Sequence, residues 1–310
     1  MSKENTAVTK KKIKRCKEDV VFDAACFIIL TLVLFVVAYP LYWVIISSIS
    51  APSAVSSGKV LLHPIGFTLK GYAEVFKNDQ VMRGFLNSLI ITFCGVMVNL
   101  IVTLPTSYAL SRSNFSGKKP ITIFYLITMF FGGGLIPTYL VIQRLQMLNT
   151  IWALILPGCL SVYNMIVART FFKSNISEEL YEAAEIDGCT QARFFFQIAL
   201  PLSKAIIAIL VLYYGVGHWN SYFSALVYIS DKAKYPLQLV LRNILITNQT
   251  ALSQTATTAA ARAALQEKQQ LIDVMKYSLI IISSIPVLVM YPLVQKHFVK
   301  GVMILSLIHI

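Results

Sequence analysis

Long apolar runs separated by short polar stretches dominate this chain. No Asp, Glu, Lys or Arg falls between Asp23 and Lys59, and none falls in 84–111, 120–143, 145–168, 205–230 or 277–295. Each window holds roughly 19 residues or more, enough for about 30 Å of helix. Backbone amides cannot stay unpaired in lipid, so each window predicts a helix. The expected fold class is an all-α integral membrane protein with six transmembrane helices. The spans are expected over about 22–48, 85–111, 121–142, 150–172, 204–229 and 274–296.

Local signals refine this pattern. Tyr39, Tyr42 and Trp43 near the end of span 1 suit an interfacial aromatic belt. Pro52, Gly58, Pro64 and Gly66 make 51–83 a turn-rich outer loop. Gly132-Gly133-Gly134 and Pro137 predict a break in span 3, and Pro157 lies inside span 4. The outer loop 230–273 is polar, and its Ala/Thr/Gln-rich stretch Thr250–Gln270 predicts a surface helix.

Charge then sets the orientation. The chain has 310 residues, 13% of them charged, with a net charge of +13. A basic nucleic-acid face needs folded soluble surface, and little is available here. Membrane topology explains the charge better. Lys3, Lys10, Lys11, Lys12, Lys14, Arg15 and Lys17 form a basic tail over 1–21, and cations favour the cytoplasmic side. Both termini are therefore expected in the cytoplasm of a multi-pass membrane protein. The first span is too long for a signal-peptide core and reads as an uncleaved helix. Cys16, Cys26, Cys94, Cys159 and Cys189 all fall outside the outer loops, so no disulfide is expected. His63, His218, His297 and His309 lack metal-ligand spacing.

One segment, 173–203, is amphipathic. Asn175 is expected to cap a helix, with Glu178 closing the box. Leu180, Ala183, Ala184 and Asp187 follow at helical spacings, and small Ala183 and Ala184 allow close approach of another surface. Gly188 ends the helix, and a second helix runs through Phe194-Phe195-Phe196 to Leu200-Pro201. Two short helices at an angle make a knuckle. On physics alone it is either a membrane-surface linker or a docking element.

The pattern Glu182-Ala183-Ala184, Gly188, Ile198, Leu200 and Pro201 between spans 4 and 5 resembles the EAA loop of ABC importer permeases. Asn87-Ser88, Tyr108-Ala109-Leu110-Ser111-Arg112, Ile136-Pro137, Asn149-Thr150, Trp219-Asn220 and Lys300-Gly301-Val302-Met303 resemble the carbohydrate permeases, in particular those similar to the smaller subunit of the maltose permease. The resemblance covers about 20–304. One departure is Ser177, where many relatives have Pro; both residues tolerate a helix start.

The resemblance implies a type I ABC importer permease fold with cytoplasmic EAA coupling helices. It also implies a 22–304 permease domain that carries a sugar, in particular an oligosaccharide. The implied partners are a second permease subunit in a heterodimer, an ABC ATPase dimer and an extracellular sugar-binding protein. ATP and Mg would be held by the ATPase, with no cofactor on this chain. Glu182, Ala183, Ala184, Asp187, Gly188, Ile198, Leu200 and Pro201 would couple the two subunits.

Other classes fit less well. There is no Gly-x-x-x-x-Gly-Lys-Ser/Thr; Gly117-Lys118-Lys119-Pro120 does not qualify. No nucleophile with a neighbouring base and no paired carboxylates occur in a span, so an enzyme is not expected. An ion-coupled secondary carrier is the alternative, but all six windows lack ionisable Asp, Glu, Lys and Arg. A membrane scaffold would need no polar path. Candidate path residues are Asn99, Thr103 and Ser107, four apart on one face, with Tyr163, Asn164, Tyr214, Trp219 and Asn220. Their other reading is hydrogen bonding between spans. His218 has no relay partner in the sequence pattern and reads as packing.

The chain ends Leu305-Ser306-Leu307-Ile308-His309-Ile310. The DNA sequence CTGTCTCTTATACACATC encodes these residues and resembles a transposon end used in sequencing-library preparation. Residues 305–310 are therefore expected to be adapter read-through and are assigned no function.

Overall fold

A computed structural model describes residues 17–251 and 259–306. Helices α1 (Lys17–Ser48), α2 (Pro52–Ser56), α3 (Lys70–Lys77) and α4 (Asp79–Ser111) open the chain. Then come α5 (Lys118–Phe130), α6 (Leu135–Arg144), α7 (Trp152–Ile155) and α8 (Val162–Asn175). The knuckle holds α9 (Glu178–Ile186), α10 (Gln191–Phe194) and α11 (Leu200–Leu202). After these come α12 (Lys204–Trp219), α13 (Tyr222–Tyr228), α14 (Leu237–Ala251) and α15 (Ala259–Ser306).

Three helices are long and apolar enough to cross a membrane alone: α1, α4 and the Gln269–Pro292 part of α15. Three bent pairs bring the number to as many as six. The break expected in span 3 lies between α5 and α6, which meet at 113°. Gly134 there has φ +82°, a left-handed conformation that glycine adopts freely. The second bent pair, Trp152–Gly158 with α8, turns by 52° around Pro157.

Three boundaries differ from the sequence reading. Span 5 is interrupted: α12 stops at Trp219 and α13 starts at Tyr222. The segment 230–251 is not simply a polar loop, because Leu237, Leu239 and Val240 of α14 are buried. The helix leading into span 6 is continuous from Ala259, so there is no separate surface helix over its described part. Ala, Gln and Glu are good helix formers, and no Pro or Gly interrupts 259–285. Residues 252–258 of the expected Thr250–Gln270 helix, Cys16, the basic tail 1–16 and 307–310 lie outside the described residues.

α4 forms the middle of the bundle and packs on α8, α12 and α14. Asn87 and Ser88 near its start hold the 233–237 segment: the Asn87 amide donates to the Ala233 and Tyr235 carbonyls, and Ser88 accepts from the Leu237 N–H. Asn149, in left-handed backbone at φ 61°, accepts from the Ser230 and Asp231 N–H groups. α1 packs on α15, while most of its apolar length is exposed. At its Trp43 end, Trp43 donates to the Val60 carbonyl at 2.8 Å and packs edge-on against Tyr277.

Candidate coupling site and transport path

The knuckle is built by two caps. Ser177, not Asn175, starts α9; its hydroxyl accepts from the Leu180 N–H at 3.3 Å. Asn175 instead ends α8, and its amide donates back to the Phe171 carbonyl. At the other end, the Cys189 N–H donates to the Ala184 carbonyl at 2.9 Å and the Gly188 N–H to the Glu185 carbonyl at 3.0 Å. This paired closure requires a left-handed residue, and Gly188 supplies φ +77°.

The helix has two faces. Tyr181 is buried and Ala184 is half-buried against the same core. Glu182, Ala183, Glu185, Ile186, Asp187 and Gly188 point away, and Ile186 is 87% exposed. The close approach expected at the two small alanines divides between the two faces. Ala183 lies outside, whereas Ala184 lets α9 sit close to its own bundle. Beyond Thr190, which caps α10, Phe194 and Phe195 are buried. Phe195–Ala199 forms a π turn. Pro201 follows with no N–H to donate, which loosens the ladder there. Ile198 and Leu200 pack on the core, and Pro201 is exposed. The chain then turns by 80° into α12.

A tether fixes this knuckle to the end of α4, and the sequence reading did not foresee it. Arg112 donates to Glu178 at 2.6 Å and lies over the Tyr181 ring, 4.1 Å from its centroid. The Ser113 N–H adds a bond to the same carboxylate at 3.2 Å. Tyr181 in turn meets Phe194 edge-on. Arg169 of α8 donates to the Leu110 carbonyl at 3.0 Å. The sequence holds a signal only in hindsight: Arg112 is the first cation after the span and Glu178 the first anion after the next pair.

The expected path residues separate into two groups. Asn99, Thr103, Ser107, Tyr214 and Trp219 are buried between helices of this chain. The Asn99 amide donates to the Gly158 and Cys159 carbonyls at 2.8 and 3.0 Å, and its oxygen accepts from His218 Nε2 at 2.7 Å. Those two carbonyls lie at the break before α8, where the helical ladder is lost. Thr103 and Tyr214 share a hydrogen bond at 2.7 Å, and Tyr214 also accepts from the Ser161 N–H. Ser107 donates to the Met165 carbonyl and Trp219 to the Ser283 carbonyl. The geometry of these five is that of helix-to-helix bonding. His218 is tied to Asn99 rather than to a second titratable group. Asn220 is exposed and donates to Val216 of its own helix. Tyr163 and Asn164 instead line an open groove with α12 and α15.

No family model matches the chain. The polygalacturonan/rhamnogalacturonan transport system permease protein YtcP of Bacillus subtilis is 35% identical over 283 residues, covering 91% of this chain and 96% of that protein. The Bacillus subtilis protein LplC is 38% identical over 284 residues, covering 92% and 94%. Among solved structures, a bacterial ABC transporter involved in the import of the acidic polysaccharide alginate superposes with a TM-score of 0.82 at 27% identity, over 92% of this chain and 99% of that one. These similarities give the ion-coupled carrier no support, and in such systems ATP is hydrolysed by a separate subunit. A helical bundle with an exposed, internally tethered knuckle, matched over nearly its full length by such proteins, belongs to the permease subunits of carbohydrate ABC importers.

Proposed function

We propose that this chain is one half of a two-permease importer that carries an oligosaccharide inward, and that a separate ATPase grips it at 177–201. The carrying observation is the division of α9 into two faces: Tyr181 is held by Arg112, while Ile186 stands 87% exposed at the tip. A large aliphatic side chain left in water forgoes about 1.5–3 kcal/mol of burial. An ATPase cleft would cover it. Glu182, Ala183, Asp187 and Gly188 would share that contact. Ala184, Ile198, Leu200 and Pro201 would hold the knuckle's shape from behind.

The polysaccharides in the names of YtcP and of the alginate transporter support an oligosaccharide substrate. The basic tail, together with Arg112, Lys118, Lys119, Arg169 and Lys173 around the knuckle, supports a cytoplasmic position for that end and for both termini. The exposed apolar length of α1 supports lipid or a second permease as its neighbour. An extracellular binding protein would meet the opposite end, around α2, α3 and α14. ATP and Mg would stay on the ATPase, and the role of this chain is mechanical.

The mechanism follows from the bonds. Closure of the ATPase dimer would displace α9. The Arg112–Glu178 pair and the Arg112–Tyr181 stack would pass the displacement to α4. α4 holds α8 and α12 through Asn99, Thr103 and Ser107, so the three would shift as one body and switch access to the path. Photocrosslinkers at Glu182 and Ile186 in the native host are expected to capture an ATPase subunit. Capture of no nucleotide hydrolase from a membrane-inserted, transporting protein would overturn the docking role.

A further inference from the structure

We propose that the groove between α8, α12 and α15 is a sugar-contact site of this chain, with Asn164 as its hydrogen-bonding group and Tyr163, Tyr213 and Tyr291 as its aromatic walls. This rests on the carbohydrate-import reading. The groove has a volume of about 540 Å³, within the roughly 300–1,000 Å³ of small-molecule sites.

Its depth is fixed by helix geometry. Asn164 lies eleven residues before the end of α8 at Asn175, about 16 Å along the axis. Tyr213 lies nine residues after the start of α12 at Lys204, about 14 Å along. Both helix ends adjoin the knuckle. Both distances are close to half of an apolar core about 30 Å thick, so the groove opens near the middle of the bilayer.

Asn164 is the second observation. Its residue is 6% exposed, and no hydrogen bond reaches its side-chain amide among the described residues. Asn99, by contrast, has three side-chain bonds at the neighbouring helix contact. A free amide facing hydrocarbon at mid-membrane is costly, and polar groups in such positions face a cavity or a path. The tyrosines around it are 56%, 45% and 56% exposed at 163, 213 and 291, and their hydroxyls also have no partner among the described residues.

This is the chemistry a pyranose ring asks for. Its C–H face lies on a phenol ring, and adjacent hydroxyls both donate to and accept from one amide. Leu212, Val216 and Val287 complete an uncharged lining, so the groove contacts sugar rings and not their acidic groups. Holding without ion pairs also suits transport, which needs release as much as capture. A lipid tail would leave the Asn164 amide unpaired. A helix of the second permease would keep water and sugar out.

Single cysteines at Asn164→Cys, Tyr213→Cys and Tyr291→Cys, in a form with the five native cysteines replaced, distinguish these occupants. The assembled transporter in liposomes is treated with a membrane-impermeant charged thiosulfonate. Oligogalacturonide, rhamnogalacturonan oligosaccharide or alginate oligosaccharide is added in separate runs, and uptake of each is measured on the cysteine-free parent. The expected result is labelling at all three positions, slowed by a transported sugar in a saturable way by the occupancy factor 1 + [L]/Kd of the groove, about tenfold at ten times that Kd. Tyr213 and Tyr291 are already half exposed, so their variants keep the test open if Asn164→Cys misfolds. If the parent imports a sugar but the positions do not label, or label equally with it, the groove is covered or bypassed and this proposal alone falls. If the parent imports none of the three, the oligosaccharide substrate drawn from the relatives' names falls, and this proposal falls with it.

Discussion

Replacing Asn99 by Leu removes a polar hub and keeps the branching and the number of heavy atoms. Asn99 is fully buried, and its amide closes three bonds: to the Gly158 carbonyl at 2.8 Å, to the Cys159 carbonyl at 3.0 Å and from His218 at 2.7 Å. Leucine leaves two carbonyls and one imidazole N–H without partners at a partly buried helix contact. Interhelical hydrogen bonds in membrane proteins average roughly 0.6 kcal/mol, which sets a floor of about 2 kcal/mol for three. Orphaned buried groups cost roughly 2 kcal/mol each, which sets a ceiling of about 6 kcal/mol. At roughly 2 °C per kcal/mol for a chain of this size, Asn99→Leu should lower the melting midpoint by about 4 °C or more. The assay is heating in mild detergent followed by size-exclusion chromatography. Asn220→Leu is the control, because Asn220 is exposed and bonds only within its own helix; it should stay near the parent. His218→Leu combined with Asn99→Leu should cost less than the sum of the two, since each single variant orphans the other's partner atom and the double variant orphans neither. A midpoint for Asn99→Leu within about 1 °C of the parent would refute the hub.

Arg112→Ala should detach the knuckle without unfolding the bundle. The Glu178 end of the pair is 44% exposed, so the pair contributes about 0.5–1 kcal/mol, with about 1 kcal/mol more from the stack on Tyr181. ATP hydrolysis should persist while sugar moved per ATP falls, and Arg112→Lys should recover part of the ratio; an unchanged ratio in Arg112→Ala counts against the tether. Gly188→Ala should cost about 1–2 kcal/mol at the knuckle because φ is +77°. Gly188→Pro should be worse, since it also loses the bond to Glu185. Uptake by correctly inserted variants should fall in that order, and equal uptake by all three proteins would remove the closure from the mechanism. At Gly95 an added Cβ would lie 2.5 Å from the His218 ring, so Gly95→Ala should push α4 from α12 and lower the melting midpoint, whereas Gly217→Ala, with open space around it, should not.

The sequence displayed the spans because charge-free runs of that length have few uses outside lipid. It displayed the knuckle's end through Gly188 and the break in span 3 through Gly132-Gly133-Gly134, since both depend on local backbone freedom. It did not display Arg112–Glu178, whose partners lie 66 positions apart. Nor did it reveal that Asn99 satisfies the break in span 4. A helix that is apolar around its whole circumference carries no periodic signal for which face turns inward. Rotation about the helix axis therefore stayed open, and with it the choice between path and packing for Asn99, Thr103 and Ser107. Asn175 shows the local version of the problem: α8 continues through it, and the cap falls two residues later at Ser177.

The division of polar residues follows from what a rocking machine needs. A half that must move as one body has to resist shear between its own helices, and apolar contacts in lipid give little resistance because lipid tails offer the same dispersion attraction. Asn99, Thr103 and Ser107 run down one face of α4 and bond to α12, to the α8 segment and to the break before it. They fix these elements at several depths, which opposes both sliding and rotation. Arg112, one further turn along, joins the same helix to the knuckle. A push on α9 thus reaches a stapled block rather than a loose helix. The polar residues left outside that stapling, Tyr163 and Asn164, sit on the block's open side, where a change in access would be felt by whatever occupies the groove.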